Sequence, residues 1–293
     1  MEESKRISGN RRAEDLVREY FIELNKKPTK PKHPETEKET NPKPAPAIIT
    51  PANLQTPENY ILLPQTNEHP DLLIAKNRLA YDSEVEKASK KLGLNLQNNS
   101  QGYIGNINRE QALKLNNELN SFTLNSKLFA EFLKLLKSGR ALDGTKKQVN
   151  SRELETILKE IIEVRNPWRS EWLDNKYSKS GGVLGIGSKL SVTYHKFDSS
   201  GKLIEVTEPL DSDTLMENKT PGISLEDWVN NPNSQGLPKS NVPDGSLYFW
   251  HPREGRVARF VADADGADLY CLGYPDGSDG VLGVRVAKIF GGP

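Results

Sequence analysis

The chain has 293 residues, and its 40 Lys and Arg are balanced by 40 Asp and Glu, so the formal net charge is zero. This balance gives no global charge bias toward nucleic acid or an anionic membrane. A single cysteine, Cys271, excludes an intramolecular disulfide and cysteine-based metal sites. Hydrophobic residues make up only 35% of the chain, which predicts that part of it is unfolded.

Residues 1–57 are predicted to form a disordered arm. Its stretch Asn25–Pro51 is dominated by Lys, Pro, Glu and Thr, and such a segment buries too little apolar surface to offset the entropy of ordering. Within the arm, residues 12–26 place their apolar side chains on one face of a short helix. Two interpretations of this helix stay open: it docks on its own domain, or it is a tethered helix that recognises a partner protein.

The N-terminal sequence MEESKRISGNRRAEDL has no apolar core of the kind that a signal peptide needs, and no run of 18 apolar residues occurs. We therefore expect a cytoplasmic location, no membrane span and no nucleic-acid partner. Display on a virion or another surface stays open.

Residues 58–164 are predicted to be a mainly helical segment. Capping residues and apolar periodicity predict helices at Asp82–Leu92 with a stop at Gly93, from the cap Asn108 to Leu119, at Ser126–Ser138, and from an N-cap at Ser151. The apolar stripes of these helices are interpreted as core.

Residues 165–293 are predicted to form an α+β domain. Pro167 suits the first turn of a helix, on which Trp168 and Trp172 share a face. After it, Lys189–Phe197 alternates as a strand does, and the turn DSSGK leads into a returning strand. Further elements are a short helix at Ser224–Asn231 and strands at Ser246–Trp250, Val257–Phe260 and Leu282–Ile289.

Catalytic and cofactor motifs are missing from the sequence. None of the four histidines has a nucleophile or carboxylate at motif spacing, Cys271 is interpreted as a buried inert thiol, and GGVLGIG at residues 181–187 lacks the Lys-Ser/Thr of a phosphate loop. We therefore expect no catalytic residue and no cofactor. The dense aspartates between Asp263 and Asp279 could bind calcium, but their order does not match an EF-hand, so a metal site is not the favoured reading.

The C-terminal fifth, about residues 245–290, is instead predicted to be a ligand-binding surface. From Val242 onward there is no Asn and only one Lys, although both are abundant before it. Between Gly255 and Val281, residues that look like scaffold interleave with a chemically mixed set. The scaffold set is Arg256, Val257, Ala258, Arg259, Phe260, Ala262, Ala264, Ala267, Leu269, Cys271, Pro275 and Ser278. The mixed set is Val261, Asp263, Asp265, Gly266, Asp268, Tyr270, Leu272, Gly273, Tyr274, Asp276, Gly277, Asp279, Gly280 and Val281.

The segment LYFWHPREGRVARFVADADGADLYCLGYPDGSDGVLGVRVAKIF resembles the variable region of diversity-generating retroelement variable proteins, particularly archaeal and viral ones. In that family, a reverse transcriptase copies a template with errors at adenines, and the product replaces the 3′ end of the target gene. Every residue of the mixed set is reachable from an Asn codon by such errors, whereas Lys, Glu, Gln, Met and Trp are not. Glu254, which lies between the candidate ligand-binding residues Arg253 and Gly255, is an exception, since it would need a different adenine-containing codon or be fixed.

This resemblance implies a C-type lectin fold of the formylglycine-generating-enzyme branch over residues 165–293, preceded by the helical segment. It implies that Leu282–Lys288 is the final, half-buried strand and that Trp168, Trp172 and Trp228 belong to the core. The chain departs from the catalytic members in its single cysteine, and from calcium-dependent lectins in lacking their Glu-Pro-Asn or Gln-Pro-Asp motif.

The function implied is a non-enzymatic, ligand-binding display protein whose ligand is an unknown macromolecule, most simply a protein. The ligand-binding residues would be His251, Arg253 and Gly255 together with the mixed set. The rival hypothesis is a calcium-binding lectin or an enzyme of the same fold.

Overall fold

The structure is a computed structural model that describes residues 54–180, 189–240, 242–243 and 245–292, with the backbone alone at residues 180 and 219–221. The arm up to residue 53, with its predicted helix at residues 12–26, and the stretch 181–187 lie outside the described residues. Residues Ile49–Pro293 form one compact unit. Its helices and mainly antiparallel sheets confirm the α+β class. None of the described helices is long and apolar enough to cross a membrane.

Four helices occupy the first part of the unit: α1 (Ser83–Leu92), α2 (Arg109–Glu118), α3 (Ser126–Lys137) and α4 (Ser151–Ile162). They confirm the predicted helices. The capping residue predicted for α4 is wrong by one position, because the Asn150 side chain accepts the hydrogen bond from the Arg152 backbone N–H at 2.8 Å. Ser151 is thus the first helical residue, since the amide oxygen one position earlier already satisfies the free N–H of the first turn.

Short strands before and between these helices were not predicted. They are β1 (Tyr60–Leu63), β2 (Leu72–Ala75), β3 (Gln97–Asn98), β4 (Ile104–Gly105), β5 (Phe122–Thr123) and β6 (Leu142–Asp143). The C-terminal strand β15 (Val286–Ile289) pairs with β2 and β5, which gives a five-stranded sheet in the order β5-β15-β2-β1-β6. The segments before and after residue 165 therefore contribute strands to the same sheet.

A larger, eight-stranded sheet follows. Its elements are β7 (Arg169–Ser180), β8 (Lys189–Phe197), β9 (Leu203–Pro209), β10 (Lys219–Ile223), β11 (Leu247–Trp250), β12 (Arg256–Ala262), β13 (Ala267–Gly273) and β14 (Leu282–Gly283), with helix α5 (Leu225–Asn230) between β10 and β11. The order is β10-β11-β13-β12-β7-β8-β9, and β14 lies parallel to β7. The hairpin of β8 and β9 confirms the predicted turn at DSSGK.

The predicted helix after Pro167 is wrong. Residues Arg169–Ser180 form the long strand β7, which pairs with β12 from Arg169 to Tyr177 and with β8 from Lys176 to Ser180. A four-residue spacing of Trp168 and Trp172 also fits one face of a strand, so the spacing alone could not separate the two structures. Trp172 is buried as predicted, whereas Trp168 is only half-buried.

Two hydrophobic clusters enclose the five-stranded sheet. Ile61 and Ile74 belong to the cluster that includes α3, α4 and α5, whereas Leu62 and Leu73 belong to the cluster that includes α1 and α2. Because both faces are covered, these strands read as unbroken apolar runs without the alternation that marks a half-buried strand.

The strand predicted at Leu282–Ile289 is interrupted. Leu282 and Gly283 form β14, and the next regular strand is β15, which starts at Val286. The prediction of a half-buried Leu282–Lys288 is also wrong, since every residue from Leu282 to Ala287 is buried. Arg285 is buried because it pairs with the buried carboxylate of Glu171.

Candidate ligand-display site

Strand β13 separates scaffold residues from residues of the mixed set. Ala267, Leu269 and Cys271 are 2%, 0% and 0% exposed and pack in the core with α3 and α4. The alternate residues Asp268, Tyr270 and Leu272 lie on the opposite face. Apart from Gly273, which belongs to the mixed set but lies on the buried face, the two interleaved sets that the sequence distinguishes on this strand occupy its two faces.

Beside this outer face lies an open depression of about 420 Å³, which we call the display pocket. It is lined by Arg165, Asn166, Trp168, Arg259, Val261, Asp263, Ala264, Asp265, Asp268 and Tyr270. Half of these residues belong to the predicted ligand-binding set. The other half were assigned to the scaffold or lie upstream of β7, so the pocket combines both kinds of residue.

Arg259 forms a cationic floor in the display pocket. Its guanidinium carbon lies 4.6 Å from the centre of the Tyr270 ring, and 5.5 Å and 5.9 Å from those of Trp168 and Trp172. Such distances are typical of cation–π contacts. Burial lowers the pKa of Arg259, while the neighbouring Tyr270 and Asp268 raise it. Trp168 and Arg259 thus contact each other on the side of the pocket that is formed by residues outside the mixed set.

Asp268 is the most buried acid of the display pocket, at 8% exposure. Its Oδ1 accepts a hydrogen bond of 3.1 Å from the indole N–H of Trp250, whose ring lies 5.9 Å from that of Tyr270. The pKa of Asp268 is raised to about 7, chiefly by burial; the nearby Asp263 and Asp265 contribute to the rise, whereas Trp250 and Arg259 oppose it. The charge of the pocket therefore changes near neutral pH.

Two of the aspartates shape loops. The Oδ1 of Asp263 accepts from the backbone N–H of Asp265 at 2.9 Å and of Gly266 at 3.1 Å, and the Oδ1 of Asp279 accepts from Val281 N–H at 3.1 Å. These are turn-forming bonds. Throughout the described ranges, no group of three or more His, Cys, Asp or Glu side chains is arranged to hold a metal ion.

Other predicted ligand-binding residues lie outside the pocket lining. Tyr274 is 60% exposed and stacks on Arg256, with the guanidinium carbon 3.8 Å from its ring centre. Also exposed are Arg253, Gly255, Asp276 and Asp279; half-buried are His251, Leu272, Gly277, Gly280 and Val281. The candidate surface therefore extends beyond the pocket.

Some residues of the mixed set have little access to a ligand. Val261, Gly266 and Gly273 are buried, although Val261 reaches the wall of the display pocket. A Cβ at Gly273 would lie 2.9 Å from the Val257 carbonyl oxygen and 3.1 Å from the Trp172 ring. Because these neighbours are backbone and packed aromatic atoms, Gly273 acts as scaffold in this fold.

Besides Arg259 and Ala264, which were assigned to the scaffold, three further residues of the pocket were missed as site residues by the sequence analysis: Arg165, Asn166 and Trp168. They precede β7, and the pairing of Arg259 with Trp172 across β12 and β7 brings this segment beside the C-terminal residues. The composition of the C-terminal fifth does not indicate which residues of β12 pair with which residues of β7, so these three residues could not be predicted from it.

A second depression, of about 480 Å³, contains none of the predicted site residues. Its polar groups pair with one another: His69 Nε2 lies 2.8 Å from Glu131 Oε2, and the Tyr194 hydroxyl donates to Glu208 at 2.6 Å. Burial lowers the pKa of His69, but the hydrogen bonds with Glu131 and with the Pro70 carbonyl outweigh it, so the pKa is raised overall. Glu131 and Glu208 are therefore already engaged by neighbouring side chains within this depression.

Comparisons with protein-family models, with curated proteins and with solved structures gave no match.

Proposed function

We propose that this chain is a ligand-binding display protein of the diversity-generating retroelement type, with a C-type lectin fold of the formylglycine-generating-enzyme branch in its C-terminal part. The two-sided strand β13 is the observation that supports this most directly. The mixed-set residues Asp268, Tyr270 and Leu272 alternate there with the buried scaffold residues Ala267, Leu269 and Cys271. A chain that tolerates repeated substitution needs such a separation, because surface changes generally cost less than about 0.5 kcal/mol whereas core changes cost several times more.

The display pocket suggests how one scaffold serves many ligands. Trp168 and Arg259 supply a constant wall and floor, while Asp265, Asp268 and Tyr270 supply the part that diversification would change. Loops and strand faces carried by a rigid framework are the usual place for binding residues. Each variant would therefore present a new combination of side chains in an unchanged frame.

The partner we propose for this variant is a protein with a basic or polar surface. Tyr270 and Tyr274 offer large amphipathic rings, and tyrosine is common among the residues that contribute most to protein interfaces. Asp263, Asp265 and Asp268 place carboxylates in the pocket, and these favour cationic or hydrogen-bond-donating groups of a ligand.

Sequencing around the gene tests the proposal. A near-identical, adenine-rich repeat of the gene's 3′ end should lie beside a reverse-transcriptase gene. The mismatches between repeat and gene should fall at the codons of Asp268, Tyr270 and Leu272 and spare those of Leu269 and Cys271. A genome without such a repeat would contradict the proposal.

Calcium binding separates the rival hypothesis from this one. A display protein of the proposed kind should melt at the same temperature in calcium and in a chelator. A calcium-dependent rise in Tm that Asp263→Asn removes and the exposed Asp276→Asn keeps would instead support a calcium-binding lectin.

A further inference from the structure

A buried cluster of charges lies where β7 meets β14 and the segment before β15. It contains Arg78, Arg169, Glu171 and Arg285, which are all less than 5% exposed. Three guanidinium groups face one carboxylate, so the cluster has an excess of two positive charges. Buried charges are ordinarily paired, because removing an ion from water is costly unless another group replaces the lost solvation.

Arg285 takes up the only carboxylate of the cluster. Its Nε donates to Glu171 Oε2 at 2.8 Å and its Nη2 to Glu171 Oε1 at 3.1 Å, which is the bidentate arrangement that guanidinium and carboxylate groups prefer. Arg285 also donates to the backbone oxygen of Ala75 at 2.8 Å. Glu171 and Arg285 therefore neutralise each other.

Arg78 is held by uncharged groups. Its Nη1 donates to the Val281 carbonyl oxygen at 3.0 Å, and its guanidinium carbon lies 5.0 Å from the centre of the Tyr103 ring. These contacts satisfy hydrogen-bond donors of Arg78 but do not neutralise its positive charge.

Arg169 lacks comparable contacts. Within the described residues, its one ion pair is the 4.0 Å approach of Nη1 to Glu171 Oε1, and its Nε is buried with no hydrogen-bond partner. Burial lowers the pKa of Arg169 to about 9; Glu171 opposes that effect, and the charges of Arg78 and Arg165 add to it. The side chain is 4% exposed and faces an excess of like charge.

The other nearby acid is already engaged. Glu160 on α4 acts on Arg169 electrostatically, but its two carboxylate oxygens accept from Arg165 at 3.0 Å and 3.1 Å. This pair is neutral as a whole. No carboxylate among the described neighbours remains to compensate Arg169.

We propose that Arg169, together with Arg78, anchors a binding site for a small inorganic anion of halide or oxyanion size. The anion would neutralise Arg169, as Glu171 neutralises Arg285 and Glu160 neutralises Arg165. The site would brace the start of β7, where the Arg165 backbone N–H donates to the Asp263 carbonyl oxygen at 2.8 Å and so holds the loop of the display pocket. This inference does not depend on the ligand-display proposal.

Thermal unfolding of the full chain at constant ionic strength tests the site. Replacing gluconate by chloride or phosphate at about 100 mM should raise Tm by about 3 °C or more, because an anion bound only to the folded state stabilises it by mass action. Arg169→Gln should abolish this anion-specific rise. In gluconate the variant should melt at or above the wild-type temperature, because an uncompensated buried charge has been removed. Arg152→Gln, which changes an exposed arginine of α4, should respond to anions as the wild type does.

A second measurement uses the wild type alone, so it holds even if Arg169→Gln fails to fold. Crystals grown with bromide should give an anomalous peak within about 3.5 Å of the Arg169 guanidinium, the range of a charge-assisted contact. Two results would overturn the proposal: a wild-type Tm that is the same in gluconate, chloride and phosphate, or bromide crystals without a peak at Arg169. An anion-dependent rise in Tm that Arg169→Gln retains would place the effect elsewhere and would overturn it as well.

Discussion

At the scale of single residues, Asp268 links the display pocket to pH. Its pKa of about 7 in the folded protein lies above the ordinary value near 4, because the carboxyl is buried and has acidic neighbours. The folded state therefore binds this proton more tightly than the unfolded state does. The resulting contribution to stability is complete below about pH 4 and is lost as the pH rises through about 7.

We expect Asp268→Asn to remove this part of the pH dependence. From pH 5 to pH 8, the free energy of unfolding of the wild type should fall relative to that of the variant, by at most about 3 kcal/mol. Urea unfolding at intervals of pH measures the difference, in which contributions from histidines cancel. Asp276→Asn, at an exposed site, should follow the wild type. Parallel curves for wild type and Asp268→Asn would show that burial does not hold the proton.

Gly273 occupies a position at which the fold leaves little room for a side chain. A Cβ there would approach the Val257 carbonyl oxygen and the Trp172 ring, neither of which moves freely. We expect Gly273→Ala to lower the free energy of unfolding by about 2 kcal/mol. Gly280→Ala is the matched control, since its new Cβ would meet only the end of the Gln97 side chain, at 3.3 Å. Equal effects of the two substitutions in denaturant titrations would contradict the assignment of Gly273 to the scaffold.

At the scale of elements, β13 offers a matched pair of leucines. Leu269 is fully buried, whereas Leu272 lies half-buried on the outer face of the same strand. Leu269→Ala should lower the free energy of unfolding by about 2–5 kcal/mol because it leaves a cavity, and Leu272→Ala by less than about 1 kcal/mol. Chemical denaturation of the two variants decides the matter. A larger loss for Leu272→Ala would reverse the proposed roles of the two faces.

The elements also show what local sequence can and cannot predict. Helices α1 to α4 were predictable because caps such as Asp82 and Asn108 and the apolar period are local signals. Strand β7 was not, because its Arg169, Glu171 and Asp174 read as solvent-facing yet are buried and lie within a central strand. Their partners, among them Arg285 and Arg109, are distant in sequence.

At the scale of the whole molecule, the candidate site was predictable only in its C-terminal half. The composition after Val242 singled out residues that the structure places on the outer face of β13 and in the loops beside it. The other half, with Arg165 and Trp168, depends on the register between β7 and β12, which no local pattern encodes. The C-terminal half could be predicted from composition, because composition reflects which substitutions are tolerated and can be analysed without knowledge of the fold.

The unit also ties its C-terminus into the interior. Before the proposed variable segment, β11 pairs with β10; after it, β14 lies against β7 and β15 lies between β2 and β5, so paired strands flank the segment on both sides. A surface segment anchored in this way keeps its ends fixed while its exposed residues change.

We propose that the outer residues of the C-terminal fifth can be substituted without loss of the fold. One measurement tests it directly: the folded fraction of a library randomised at Asp265, Tyr270, Leu272, Tyr274 and Asp276, compared with a library of equal size randomised at Val257, Ala258, Phe260, Leu269 and Cys271. Protease resistance of displayed variants gives the folded fraction of each library. We expect that most members of the first library stay folded and that few members of the second do. Comparable folded fractions in the two libraries would contradict it.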